Sequence, residues 1–405
     1  SCQYSFDPFV SIIGQARALG LLDRLSLLTV VQITRHQKSL SLEKNMDRRS
    51  VIQGAGLAGV IASISTPAIV HAQANVRWRL SSSFPKSLDT LYGASEVFAK
   101  HVSDMTGGKF VISCHAPGEL VPAFGVVDAV QNQTIECAST AAYYFFGKDE
   151  TFAMGTAIPF GLNTRLMNAW MYEGNGMKLT REFYAAYNIV NFPMGSTGAQ
   201  MGGWFRKEIK SVADFKGLKF RVGGFAGKVV ERMGGVAQNI PGGEIYQALE
   251  KGTIDAAEWV GPYDDEKLGF NKVAPFYAYP GWWEGGPLTD LFVNQKAYDA
   301  LTPEYKAIVA CAASMAQQNM LAKYDALNPA ALKRLVAGGA KLFKFPKDVM
   351  DLAFKESMAL YNELSDKNPA WKKMYADYSE FRRNGNLWFR FAEAAFDDYM
   401  QAAKL

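Results

Sequence analysis

Ala129-Val130-Gln131-Asn132-Gln133-Thr134-Ile135-Glu136-Cys137-Ala138 recurs in weaker form 119 residues later as Ala248-Leu249-Glu250-Lys251-Gly252-Thr253-Ile254-Asp255-Ala256-Ala257. Each copy reads as a helix end, a tight turn and a short strand, the pieces of a βαβ unit. Two copies predict two similar α/β lobes, each presenting the C-terminal end of its strand to a shared cleft, the edge at which open α/β sheets bind ligands. Ser139 and Glu258, just past the two repeats, are then expected to face one another.

The flanking sequence agrees. Val76 to Ser82 reads as a strand, and Leu88, Leu91, Tyr92, Phe98, Val102 and Met105 are spaced as on a helix with Ser87 as its N-cap. Gly107-Gly108 ends that helix and Lys109 to His115 returns as a strand, so strands and helices alternate as in a mostly parallel sheet. From Pro303 the chain reads as helices, including Asp348 to Leu364 and a last one from Leu387 to Ala403. Trp388, Phe389, Phe391, Phe396 and Tyr399 exceed what one amphipathic stripe needs, so this tail should dock on something large.

The 405 residues are 49% hydrophobic and 20% charged, with a net charge of +4, which fits a folded protein and excludes disordered and fibrous classes. No Lys/Arg run interleaves with aromatics, so no nucleic-acid partner is expected. Met46, Asp47, Arg48 and Arg49 precede an uncharged stretch from Val51 to Val70, which reads as a signal peptide with a twin-arginine character. Ala72-Gln73-Ala74 offers the cleavage site, placing the exported start near Asn75. Residues 1–45 then read as an untranslated or unstructured leader. Gly54-Ala55-Gly56-Leu57-Ala58-Gly59 matches a dinucleotide fingerprint only by letter, since no strand precedes it and no acidic residue follows at the required spacing. The first 74 residues hold 7 of the 43 Lys/Arg and 4 of the 39 Asp/Glu, so the exported part is nearly neutral. Its cysteines, Cys114, Cys137 and Cys311, are odd in number and lack CxxC spacing, which indicates neither a disulfide framework nor a zinc site.

Catalytic tools are sparse. The only histidines after residue 74 are His101 and His115, and neither belongs to a metal or nucleophile motif. Chemistry concentrates instead between Met194 and Gly286. Gly195 to Gly203 is a small-residue stretch holding one amide, Gln200, and Arg221 sits in a short strand. Glu258 lies between alanines and Trp259, and Glu284 follows Trp282-Trp283. Charges among apolar neighbours are costly to bury and need counter-charges. A salt bridge between Arg221 and Glu258 would satisfy one pair. The second carboxylate is then left over for a metal ion, and Glu258, Glu284 and the Gln200 carbonyl form a hard oxygen set suited to Na⁺ or Ca²⁺.

Ser211 to Arg221, Pro241 to Leu249 and the run from Glu258-Trp259 to Asp265 resemble the solute-binding subunit of tripartite ATP-independent periplasmic (TRAP) transporters, in the branch that binds 2-oxo acids or lactate with a metal ion. The resemblance spans Val76 to Leu405. It implies an α/β, two-lobe periplasmic binding protein fold with a central cleft, plus long C-terminal helices. Residues 75–195 would form mainly the first lobe, 196–300 mainly the second, and 301–405 a helical crossing and C-terminal region, after the 46–74 signal peptide. By position, Arg221 would pair with the ligand carboxylate, while Gln200, Glu258, the Trp259 carbonyl and Glu284 would hold the ion. Trp259 would wall the pocket and Tyr144, with Tyr143 as an alternative, would donate a hydrogen bond. The implied protein is a periplasmic receptor and not an enzyme, handing a small carboxylate to TRAP membrane subunits and dimerising through its last helix. A receptor for a sensor or an ABC-type importer, or a periplasmic lyase using Glu258 or Glu284 as a base, are the competing readings.

Overall fold

The computed structural model describes residues 75–403. The leader and signal-peptide expectations lie outside the described residues. The first sheet has the order β2-β1-β3-β10-β4, made of β1 (Val76–Ser82), β2 (Phe110–His115), β3 (Cys137–Thr140), β4 (Ile189–Ser196) and β10 (Leu288–Asn294). β1 runs parallel to β2 and β3, whereas β10 is antiparallel to both β3 and β4. The second sheet has the order β11-β9-β5-β8-β6-β7, from β5 (Trp204–Phe205), β6 (Lys219–Arg221), β7 (Val236–Gln238), β8 (Ala256–Ala257), β9 (Phe276–Tyr279) and β11 (Lys341–Lys344). Two mixed sheets thus replace the mostly parallel arrangement that strand-helix alternation suggested.

The internal repeat maps onto one sheet each. Helix α1 (Leu91–Met105) covers the first sheet, and helix α2 (Val126–Gln131) leads into β3. Helix α3 (Ile245–Glu250) leads likewise into β8, ahead of helix α4 (Pro262–Leu268). At matching repeat positions Gln133 has φ 58° and Gly252 has φ 72°, so both turns reverse through a left-handed residue, a conformation glycine adopts without steric cost.

Three expectations change. Helix α1 begins at Leu91, not beside Ser87, and the preceding Thr90 makes no side-chain cap; its hydroxyl donates instead to Asp264 Oδ1 at 2.7 Å. Ser139 is interior to β3, opposite Leu291, and does not reach the chamber described below. β10 falls within 196–300 yet returns to the first sheet, so the chain crosses between sheets twice before the C-terminal helices.

Helix α5 (Pro303–Ala337) starts with Thr302 Oγ1 accepting the Tyr305 amide and Pro303 in the first turn, where a missing N–H costs nothing. It buries Tyr305, Val309, Ala312, Ala316, Met320 and Tyr324 at helical spacing and packs on β4 and α1. Gly195 on β4 permits this approach, because a Cβ there would lie 2.2 Å from Met320 Cε. Helix α6 (Lys347–Lys367) and helix α7 (Pro369–Phe389) pack on each other, and α7 continues through a π-helical turn into helix α8 (Ala395–Ala402). The last helical run therefore begins at Pro369, not Leu387. Along it Trp388, Phe391, Phe396 and Tyr399 are 62%, 71%, 63% and 73% exposed, whereas Phe389 packs on the core and Glu393 pairs with Arg165. Among the described residues no helix is long and apolar enough to cross a membrane.

Candidate functional site

The two strand ends meet at a small chamber walled by Tyr143 and Tyr144 from the first sheet's side and by Gln200, Trp259 and Glu284 from the second's, with Leu288 and Thr289 of β10 closing it. The chamber is small, with a free volume of about 20 Å³.

Local backbone sets each wall. Ala142–Phe145 forms one 3₁₀ turn directly after β3, so Tyr143 and Tyr144 both project at the strand's end, their rings 4.9 Å apart. Tyr143 lies against Gly223 and Gly224, where a Cβ would sit 2.3 and 2.4 Å from its ring. The Trp259 indole likewise rests on Gly242, where a Cβ would meet it at 2.3 Å. Gln200 and Glu284 are tied side by side through backbone, the Gln200 amide donating to Glu284 O at 3.1 Å and the Gly281 amide to Gln200 O at 3.0 Å.

Arg221 and Glu258 lie behind this lining. The Arg221 Nη1 donates to Glu258 Oε1 and, at 2.8 Å, to the Glu258 carbonyl, while its Nε donates to Ile240 O at 3.1 Å. The Gly223 amide adds a 2.8 Å bond to Glu258 Oε1. The guanidinium carbon stands 5.1 Å from the Trp259 ring centroid, within cation–π range. Burial pushes the Glu258 carboxyl above its usual range, against the pull of Arg221. Burial and then the Glu258 charge push Glu284 much further, opposed by Arg221 and Tyr143. Burial also raises the Tyr144 hydroxyl to about 12, so it stays a donor at neutral pH.

The decisive feature is what these groups leave unsatisfied. Gln200 Oε1, Arg221 Nη2, Glu258 Oε2, Glu284 Oε2 and Trp259 Nε1 are all buried without a hydrogen-bond partner. Buried polar atoms are nearly always paired, and an orphan costs about 1–3 kcal/mol. Three orphan oxygens, two of them on carboxyls, fit a hard cation, and one orphan guanidinium nitrogen fits an anion. Among the described residues no three His, Cys, Asp or Glu cluster for a metal, and the oxygen set here consists of two carboxyls and one amide.

The structure thus brings Gln200, Trp259, Glu284 and Tyr144 into one lining and sets Arg221 and Glu258 against its back as a mutual pair. Of the two sequence readings of Arg221, the salt bridge to Glu258 is the one present, made through Nη1, while Nη2 makes no hydrogen bond. Tyr143 stands beside Tyr144 on equal terms. Thr156, Thr197, Leu91 and the β10 residues also line the chamber, and the sequence carried no signal for them beyond the small-residue stretch around Thr197.

Residues 81–368 match the family described as bacterial extracellular solute-binding protein, family 7 (DctP). The chain belongs to that family. This family 7 chain is 47% identical over 365 residues to the monocarboxylate 2-oxoacid-binding periplasmic protein of Nostoc sp. PCC 7120, covering 89% of this chain and 100% of the relative. A TRAP transporter solute-binding protein from Bordetella bronchiseptica RB50, a mixed-occupancy dimer with copurified calcium and picolinate in one site, is 52% identical with a TM-score of 0.81 and covers 82% of this chain and 98% of its own. A TRAP periplasmic solute-binding protein from Pseudoalteromonas atlantica T6c with bound sodium and pyruvate is 37% identical with a TM-score of 0.78, covering 82% of this chain and 100% of its own. The two-lobe fold expected from the repeat is the fold of these proteins.

Proposed function

We propose that this family 7 chain is a periplasmic receptor that closes on a small 2-oxo monocarboxylate together with Ca²⁺ or Na⁺ and passes the acid to TRAP membrane subunits. The observation that carries it is the set of buried, unpartnered polar atoms around the chamber. Gln200, Glu258, Glu284 and the Trp259 carbonyl hold the cation, which neutralises the second carboxylate that Arg221 alone cannot. Arg221 turns its remaining Nη2 toward the ligand carboxylate, Tyr144 donates from the opposite wall, and Trp259 closes the side. Relatives with calcium and picolinate, or sodium and pyruvate, support this ligand class.

Binding without turnover is the reading, supported by the match to a solute-binding family. The chain dimerises through its C-terminal helical run; the exposure of Trp388, Phe391, Phe396 and Tyr399 supports this. A thermal-shift screen tests the function. With calcium present, pyruvate at 100 times its dissociation constant stabilises by about 2.7 kcal/mol, while succinate and glucose leave the midpoint unchanged. A flat response to all 2-oxo monocarboxylates defeats the reading.

A further inference from the structure

A second and larger cavity is lined by sequence neighbours and packing partners of the chamber's residues. Its free volume is about 560 Å³, and it is lined by Ser83, Pro85, Phe124 and Gly242 among others. Its residues interleave with those of the chamber: Phe84 lines the chamber while Ser83 and Pro85 on either side line the groove. On the other wall Trp259 lines the chamber and its supporting Gly242 lines the groove.

The partition on the first-lobe side is aromatic. Tyr144 packs on Phe124 with ring centroids 4.9 Å apart and on Phe84 at 6.3 Å. Phe84 is buried, whereas Phe124 is only partly buried and faces the groove. Phe84 and Leu91 give the chamber apolar lining for an acyl tail, beside the polar groups of Gln200, Trp259 and Glu284.

We infer that Phe124 is a positioning residue for ligand selection: by holding Tyr144 and Phe84 in place as a wall, it sets the chain length of the 2-oxo acid the chamber accepts. The inference rests on the function proposed above. Without Phe124 the Tyr144 ring can move toward the groove, joining the two spaces and letting a longer tail leave the chamber. Each buried methylene strengthens binding roughly fourfold, so the effect appears in the ratio of affinities for long and short acids, which a merely structural loss would not change.

The test is calorimetry with pyruvate and 2-oxooctanoate, in calcium, on the full exported chain and on Phe124→Ala and Phe124→Leu. The wild type is expected to prefer pyruvate. Phe124→Ala should weaken pyruvate by up to about tenfold, the share of a loosened Tyr144 hydrogen bond, and raise the 2-oxooctanoate-to-pyruvate affinity ratio at least tenfold, with Phe124→Leu between. A wild type that binds 2-oxooctanoate as well as pyruvate, or variants that bind pyruvate with an unchanged ratio, overturns the inference and leaves the receptor function standing. If Phe124→Ala binds neither acid, the ratio in Phe124→Leu decides. A wild type that binds neither acid overturns the function itself, and this inference with it.

Discussion

Replacing Arg221 with methionine should destabilise the ligand-free protein by about 3 kcal/mol. Arg221 and Glu258 are 1% and 0% exposed, and removing one partner of such a pair costs about 3–5 kcal/mol because the other charge stays buried. The change also strips donors from Ile240 O and Glu258 O. Burial already pushes the Glu258 carboxyl upward, so the orphaned acid takes a proton, which holds the loss near the lower limit. Arg221→Met with Glu258→Leu removes both charges and keeps volume, and should recover to within about 1–2 kcal/mol of the wild type. The assay is thermal unfolding of the wild type, Arg221→Met, Glu258→Leu and the double variant at pH 7.5, free of ligand, calcium and sodium. All three variants should lose pyruvate binding, so stability and binding separate in the double variant. The reasoning fails if Arg221→Met is as stable as the wild type, or if the double variant loses the sum of the singles.

Two further outcomes follow from buried acids and from the tail. Burial raises Asp264 to about 6, against hydrogen bonds from Thr90 and Tyr324, and Asp265 to about 7, against those from Tyr277 and Trp204. Unfolded carboxyls titrate near 4, so between about pH 4 and 7 the folded state binds more protons, and the stability these groups contribute is full below that window and lost as pH rises through it. The slope is up to about 1.4 kcal/mol per pH unit for each group, and Asp265→Asn should flatten it in midpoints measured from pH 4 to 8; an unchanged slope rejects the assignment. Deleting residues 387–405 should turn a dimer into a monomer in sedimentation velocity, and a full-length exported protein that sediments as a monomer rejects the tail's role.

The parts of this fold legible in the sequence were those written locally. The repeat at 129–138 and 248–257 gave both strand ends, since helix, turn and strand each leave a short-range pattern. Glu258 and Glu284 stood out because a carboxyl among alanines and tryptophans is expensive without a partner, and Gln200 because it was the one amide in a run of small residues. β11 was missed: four residues, Lys at both ends and only Phe343 buried, are too few for a period-two signal. Leu288 and Thr289 were missed because their role arises from β10 crossing back to the first sheet, a long-range pairing with no local mark. Tyr143 and Tyr144 could not be separated because a 3₁₀ turn presents both to the chamber.

The most direct measurement is calorimetry of pyruvate binding to the exported wild-type protein in calcium, in sodium, and in a chelated buffer whose only cation is a bulky organic amine. With Gln200, Glu258 and Glu284 holding the ion, pyruvate should bind in either metal and at least about a hundredfold more weakly, roughly 2.7 kcal/mol, without both. Because burial raises the Glu284 carboxyl well above its usual range and a bound cation would lower it, calcium binding should also release protons, read as a dependence of the heat on the buffer's ionisation enthalpy. Equal affinity in all three buffers, with no proton released, would contradict a site built to hold a cation and a 2-oxo acid together.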